Sequence, residues 1–128
     1  MHRSQLAGFI IDCQTDDLMG AAQFWSGALG IALRTTQTEL DAGYALLQTA
    51  PEDLHIEVQV VTHESRVHLD IETDDIEAEA TRLEALGAQR VKRVRTWWVM
   101  QAPTGQRFCV VRAQRANFST DANVWAGG

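Results

Sequence analysis

The chain repeats itself. Ile10-Ile11-Asp12-Cys13-Gln14-Thr15-Asp16-Asp17-Leu18 lies over His68-Leu69-Asp70-Ile71-Glu72-Thr73-Asp74-Asp75-Ile76, with Asp, Thr, Asp and Asp shared at equivalent places. Each block runs into a helix-like stretch ending on the same tripeptide, Ala28-Leu29-Gly30 and Ala85-Leu86-Gly87. Pro51 stands six residues before Glu57, as Pro103 stands six before Cys109. The copies run over roughly residues 5–62 and 64–114, and a tail of 115–128 follows. At 128 residues the two copies are expected to form a single domain over residues 1–128.

Each copy reads as β-α-β-β-β. A strand comes first, Leu6 to Gln14 or Arg66 to Glu72. Asp74 with Glu77 three residues on has the form of a capping box at a helix start. Ile76, Ala80, Leu83 and Leu86 then make one apolar stripe, as do Leu18, Ala21, Ala22, Trp25 and Leu29 in the first copy. Gly30 and Gly87 sit where a left-handed residue ends a helix. Three strands are expected after each helix, near residues 31–36, 44–48 and 54–61, then 90–95, 97–101 and 108–112. The fold class is α+β, two tandem βαβββ modules.

Composition limits the functions. Hydrophobic residues make up 45% of the chain and charged residues 22%, an ordinary globular mixture. The net charge of −6, from 17 acidic and 11 basic residues, argues against nucleic acid as a partner. No apolar run reaches the roughly 20 residues that span a bilayer, and no signal-peptide pattern follows Met1, so a cytoplasmic protein away from membranes is expected. Cys13 and Cys109 are too few for a disulfide framework and read as reduced, buried thiols.

The duplicated βαβββ pattern, with Val67-His68-Leu69-Asp70, Thr73-Asp74-Asp75-Ile76, Leu86-Gly87-Ala88 and Pro103-Thr104-Gly105-Gln106-Arg107-Phe108-Cys109-Val110-Val111, resembles the vicinal oxygen chelate superfamily and its glyoxalase-like domains. That group includes glyoxalase I, bleomycin resistance proteins and extradiol dioxygenases. The resemblance implies a curved mixed sheet of two half-barrels around a cavity, with the helices outside. It also implies a homodimer. Metal ligands in metal-dependent members come from the first and fourth strands of each copy, which places Ile10, Glu57, His68 and Cys109 at those positions. Ile10 cannot ligate. Cys109 stands where a glutamate is usual and suits zinc better than Mg²⁺.

Strand alternation gives an independent view of the cavity face. Leu54, Ile56, Val58 and Val60 go to the helices, which leaves His55, Glu57 and Gln59 inward. Leu69 and Ile71 likewise go to the helices, leaving His68, Asp70 and Glu72 inward, with Asp12 and Gln14 in the first copy. One expectation is a divalent metal (Zn, Mn, Ni or Fe) held by His68 and Glu57, completed by His55 or Cys109. The other is no metal, these residues hydrogen-bonding to one another. Asp12 and Asp70 occupy equivalent positions and are candidates for general acid–base work, or are neutralised by neighbouring cations. Trp97, Trp98, Met100 and Arg107 are the substrate-binding candidates, Trp98 and Met100 sharing a face. Arg90, Lys92, Arg93 and Arg95 add either an anion site or a solvated strand. The aromatic tail, with Phe118 and Trp125, either frays or docks on a partner subunit.

Three functions remain open from sequence: beside the two that follow, a metal-independent enzyme that uses Asp12, Asp70 or His68 for acid–base chemistry. One is a glyoxalase-like lyase, isomerase or dioxygenase acting on a small molecule through a metal. The other is a metal-free protein of the bleomycin-resistance type that holds a small molecule in the cavity.

Overall fold

The computed structural model describes residues 1–127. The elements in order are β1 (His2–Gln14), α1 (Leu18–Leu29), α2 (Gln37–Asp41), β2 (Tyr44–Leu46), β3 (His55–Val61), β4 (Arg66–Thr73), α3 (Ile76–Ala85), β5 (Gln89–Val94), β6 (Trp97–Gln101), β7 (Arg107–Arg112), α4 (Phe118–Asp121) and β8 (Asn123–Trp125). The class is α+β, as the sequence implied. None of the described helices is long and apolar enough to cross a membrane. The chain forms two compact units, Phe9–Val67 and Met1–Gly8 together with the chain from His68 onward.

The Phe9–Val67 unit pairs β2 antiparallel to β3, with Ala45 opposite Val58. Ala22 on α1, Ala45 and Val58 are fully buried, and Cys13, Leu18, Trp25 and Leu33 pack around them. This is the helix face that alternation assigned to Val58. Asp17 caps α1, its carboxylate accepting from the Gly20 backbone N–H, and Gly30 ends the helix with φ +69°. The strand expected over residues 31–36 does not form. Only Leu33 bridges to Leu47, and the chain turns into α2 instead. The cause is a complete capping box. Thr36 accepts from the Glu39 N–H while the Glu39 carboxylate accepts from the Thr36 N–H.

The second unit carries β4, β7, β6 and β5 side by side. β4 and β7 are parallel, with Asp70 opposite Cys109, and β6 is antiparallel to both β7 and β5. Ala80 and Leu83 of α3 pack on Met100 and Val110, with Ile71, Trp98 and Phe108 around them. Burial of each such side chain stabilises the fold by about 1.5–3 kcal/mol. Leu69, assigned to this helix face, is exposed. The helix starts one residue later than expected. Asp75 is the N-cap, and Asp74 instead accepts the backbone N–H of Arg3. Gly87 takes φ +109° and lies against Pro103, where an added Cβ would approach Pro103 Cγ to 3.1 Å.

The tail folds on its own chain, so it neither frays nor requires a partner. β8 pairs with the start of β1, His2 opposite Trp125. Beneath it, the carboxylate of Glu79, fully buried, bonds both nitrogens of Arg82 offered to it and His2 Nε2 at 2.8 Å. The Arg82 guanidinium stacks on Trp125 at 3.9 Å, and the Trp125 indole N–H donates to Ser4. Glu72 is a second buried carboxylate, accepting from the backbone N–H groups of Gln114 and Arg115 and from Gln5. These two carboxylates fasten the tail.

Burial pushes the Glu79 carboxyl up, but the hydrogen bonds from Arg82, His2 and Ser4 outweigh it and hold the group below its ordinary value of about 4.3. A lowered folded-state value means stability that is fully present above the unfolded value and is lost as pH falls through the folded one. Glu79→Gln is expected to lower stability by about 2–4 kcal/mol at pH 7, and to flatten the acid limb of the stability curve below about pH 4.3. Urea denaturation across pH 2.5–7 (~0.5-unit steps) checks both.

Candidate functional site

The sheet of the second unit has one face committed to α3. Ile71, Phe108, Val110, Met100 and Trp98 all point that way. Their strand neighbours therefore project from the other face: His68 and Asp70 on β4, Arg107 and Cys109 on β7, Trp97, Val99 and Gln101 on β6. All seven are half-buried.

Three of them converge. A nitrogen of His68, a carboxylate oxygen of Asp70 and the sulfur of Cys109 all lie within 4.8 Å of one another. His68 Nε2 is 3.4 Å from Asp70 Oδ1. That oxygen is buried and makes no hydrogen bond among the described residues, a costly arrangement unless a cation satisfies it. Ligands around tetrahedral zinc, bonded at about 2.0–2.3 Å, lie roughly 3.3–3.8 Å apart. A contraction of about 1 Å brings these three donors to that spacing. One imidazole, one thiolate and one carboxylate form a borderline-soft set that fits Zn²⁺, Co²⁺, Ni²⁺ or Fe²⁺ better than Mg²⁺. Beside the cluster, Arg107 Nε donates to Gln101 Oε1 at 2.9 Å.

The remaining candidates are taken by the unit that carries them. Glu57, His55 and Asp12 belong to the Phe9–Val67 unit, with Glu57 opposite Leu46 on the strand face away from Val58. Asp12 is buried, with Arg66 Nε 3.9 Å from its carboxylate. Met100 is fully buried beneath α3. Trp98 shares its face, as parity required, and its indole N–H donates to Glu77 at 2.7 Å, with Arg90 and Arg93 over its ring. Trp98 and Met100 thus support the helix, and Trp97 is the tryptophan of the open face. Arg90 bonds Glu77 and Glu84, the solvated-strand outcome. Asp70's place in the cluster was readable from sequence by one signal: it lies two residues after His68, hence on the same strand face. An open depression of about 350 Å³ lies apart from the cluster, at the start of α3 between Asp74, Glu77, Arg93 and Arg112. Its charges are of both signs, and Glu77 already bonds Arg93.

The two thiols differ. Cys109 belongs to the cluster, whereas Cys13 packs beside Val58 and Trp25. Burial pushes the Cys13 thiol above its ordinary value.

The sequence pattern of the glyoxalase-like domain matches residues 8–111. The chain belongs to the glyoxalase-like domain family. Solved structures share the fold of this glyoxalase-like chain. A hypothetical protein, BH1468 from Bacillus halodurans C-125, is 16% identical with a TM-score of 0.58, over 88% of this chain and 97% of that one. A methylmalonyl-CoA epimerase in complex with methylmalonyl-CoA and NH4+ is 16% identical with a TM-score of 0.54, over 87% and 96%. A glyoxalase/bleomycin resistance protein/dioxygenase superfamily member from Vibrio splendidus 12B01 is 16% identical with a TM-score of 0.50, over 86% and 99%. No curated protein matches the chain. Likeness at this identity carries the fold alone, and the chemistry rests on this chain's residues.

Trp98→Phe removes the donor to Glu77 but keeps the apolar body under α3. It is expected to cost about 1 kcal/mol of stability while leaving metal and ligand binding within about twofold. A thermal melt paired with calorimetric titration separates the two effects.

Proposed function

We propose that this glyoxalase-like protein takes a small, oxygen-bearing molecule on the open face of its C-terminal sheet, through a divalent thiophilic metal ion held by His68, Asp70 and Cys109. The convergence of those three donors within 4.8 Å carries the reading. The buried Asp70 oxygen without a hydrogen bond among the described residues supports it. Three protein ligands leave a coordination position for the ligand, the arrangement of catalytic rather than structural zinc sites. A bound divalent ion would supply Lewis acidity, drawing electron density from a ligand oxygen. The protein's own part is positional. β4 and β7 fix His68, Asp70 and Cys109 in adjacent register, and Trp97 and Val99 offer apolar surface beside them. With His68 and Asp70 engaged on a metal, no separate acid–base pair is assigned to them.

A homodimer in a cytoplasmic, reducing setting is part of the same proposal, and both cysteines are free thiols. Light scattering at micromolar concentration is expected to give twice the 14.2 kDa chain mass.

Cobalt is the probe of the metal reading, because thiolate ligation gives it an intense near-ultraviolet band. Titration of untagged protein with Co²⁺ is expected to saturate near one ion per chain, with that band present. Cys109→Ser should remove the band, and His68→Ala and Asp70→Asn should each weaken binding at least ~10-fold. Elemental mass spectrometry finding no metal after incubation with Zn²⁺, Mn²⁺, Ni²⁺, Co²⁺ and Fe²⁺ would overturn the reading in favour of a metal-free binding protein.

A further inference from the structure

Among the described residues, Arg107 has no carboxylate partner. In a chain of net charge −6, Arg82 has Glu79, Arg90 has Glu77 and Glu84, Arg93 has Glu77 and Arg66 has Asp12, while the half-buried Arg3 donates to the Ser119 carbonyl and Arg115 to that of Leu6. Arg107 is half-buried, and among the described residues its one hydrogen-bond partner is the neutral side-chain oxygen of Gln101. That bond uses Nε and fixes the plane of the guanidinium. The terminal nitrogens are left to donate in the fork geometry that matches a carboxylate.

Its position is set by strand register. Arg107 precedes Cys109 by two residues on β7, so both side chains leave the same face, about 6.6 Å apart along the strand. Cys109 lies across from Asp70, and Arg107 and His68 each stand two residues before them on their strands. Val99 is opposite Cys109, and Trp97 follows on the same face of β6. Lys92, opposite Val99 on β5, adds a second, exposed cation to this face.

We infer that Arg107 is the carboxylate-binding residue of this site, and that its ligand is a small organic acid with an apolar or aromatic body. The inference rests on the proposed site and names its ligand class. A half-buried guanidinium loses part of its hydration, and an anion from solution restores that loss. A singly charged carboxylate fits better than a phosphate. A phosphate dianion is usually met by several cations close together or by backbone N–H groups at a helix start, whereas here one half-buried guanidinium stands on the strand beside the negative Asp70 and Lys92 is an exposed cation two strands away. The few ångströms between Arg107 and the His68–Asp70–Cys109 cluster are spanned by a carboxylate and a neighbouring oxygen of one small molecule. The half-buried Trp97 and Val99 are placed to cover its apolar body.

Mandelate and its uncharged counterpart mandelamide test this by calorimetric titration, with and without Zn²⁺. Wild-type protein is expected to bind mandelate at least ~10-fold more tightly than mandelamide. Arg107→Gln should abolish that preference. Arg107→Lys, which keeps the charge and loses the fork, should retain part of it, and Lys92→Gln should change it less than ~3-fold. Thermal melts show whether each variant folds, and Arg107→Lys stands in if Arg107→Gln does not. Equal binding of acid and amide, an unchanged preference in both Arg107 variants, no mandelate binding up to ~10 mM, or binding of inorganic phosphate alone would each overturn the inference. Cobalt titration of the same samples keeps the two proposals apart. Metal binding without an acid preference overturns the role of Arg107 only, and an Arg107-dependent acid preference without metal overturns the metal site only.

Discussion

A strand side chain has two faces to choose from, and α3 takes one of them completely. Met100, Val110, Ile71, Phe108 and Trp98 are drawn beneath that helix because its Ala80 and Leu83 offer the apolar surface they need. Everything else about the site follows from this commitment. His68, Asp70, Arg107 and Cys109 stand at alternate positions on the same strands, so the packing that buries their neighbours turns them the other way. No separate device aims the polar residues.

Buried charge in this protein serves two different ends. Glu79 and Glu72 are saturated: Arg82, His2, Gln5 and two backbone N–H groups satisfy their oxygens, and the result is a tail fastened to the first strand. Asp70 and Arg107 are not saturated in this way. One keeps a buried oxygen without a hydrogen bond among the described residues, and the other donates there only its Nε, to the neutral amide of Gln101. Groups of the first kind hold a fold together. Groups of the second kind cost stability, and a ligand of the proposed kind would offset that cost.

Local sequence signals competed in ways that only their surroundings resolved. Asp74 and Asp75 are both good N-caps, and the register read Asp74 as the cap. The Arg3 backbone N–H occupies Asp74, so Asp75 caps α3. The reverse happened at Thr36-Gln37-Thr38-Glu39. There the repeat led to a strand over residues 31–36, and the capping-box hydrogen bonds of Thr36 and Glu39 start a helix instead. Symmetry between copies thus predicts the elements they need for a shared architecture, and not the segments where one copy has acquired its own caps.

By itself the sequence determined the α+β class, most of the duplicated strand–helix order, the glycine helix ends and which residues of a strand share a face, because period and capping are written in adjacent residues. It also determined that His68 and Asp70 share a face of their strand, and Arg107 and Cys109 a face of theirs. Tertiary structure decided which of them meet. The parallel pairing of β4 with β7 sets Asp70 beside Cys109 across 39 residues of chain, a register that no local pattern encodes. It also decided that Trp98 serves α3 while Trp97 faces outward, since adjacent tryptophans have opposite parity but only the helix says which side is the core. The fate of the tail was likewise invisible locally. Trp125 is held by Arg82 and Ser4, residues more than forty positions away, and the energy of such contacts exists only once the chain has brought them together.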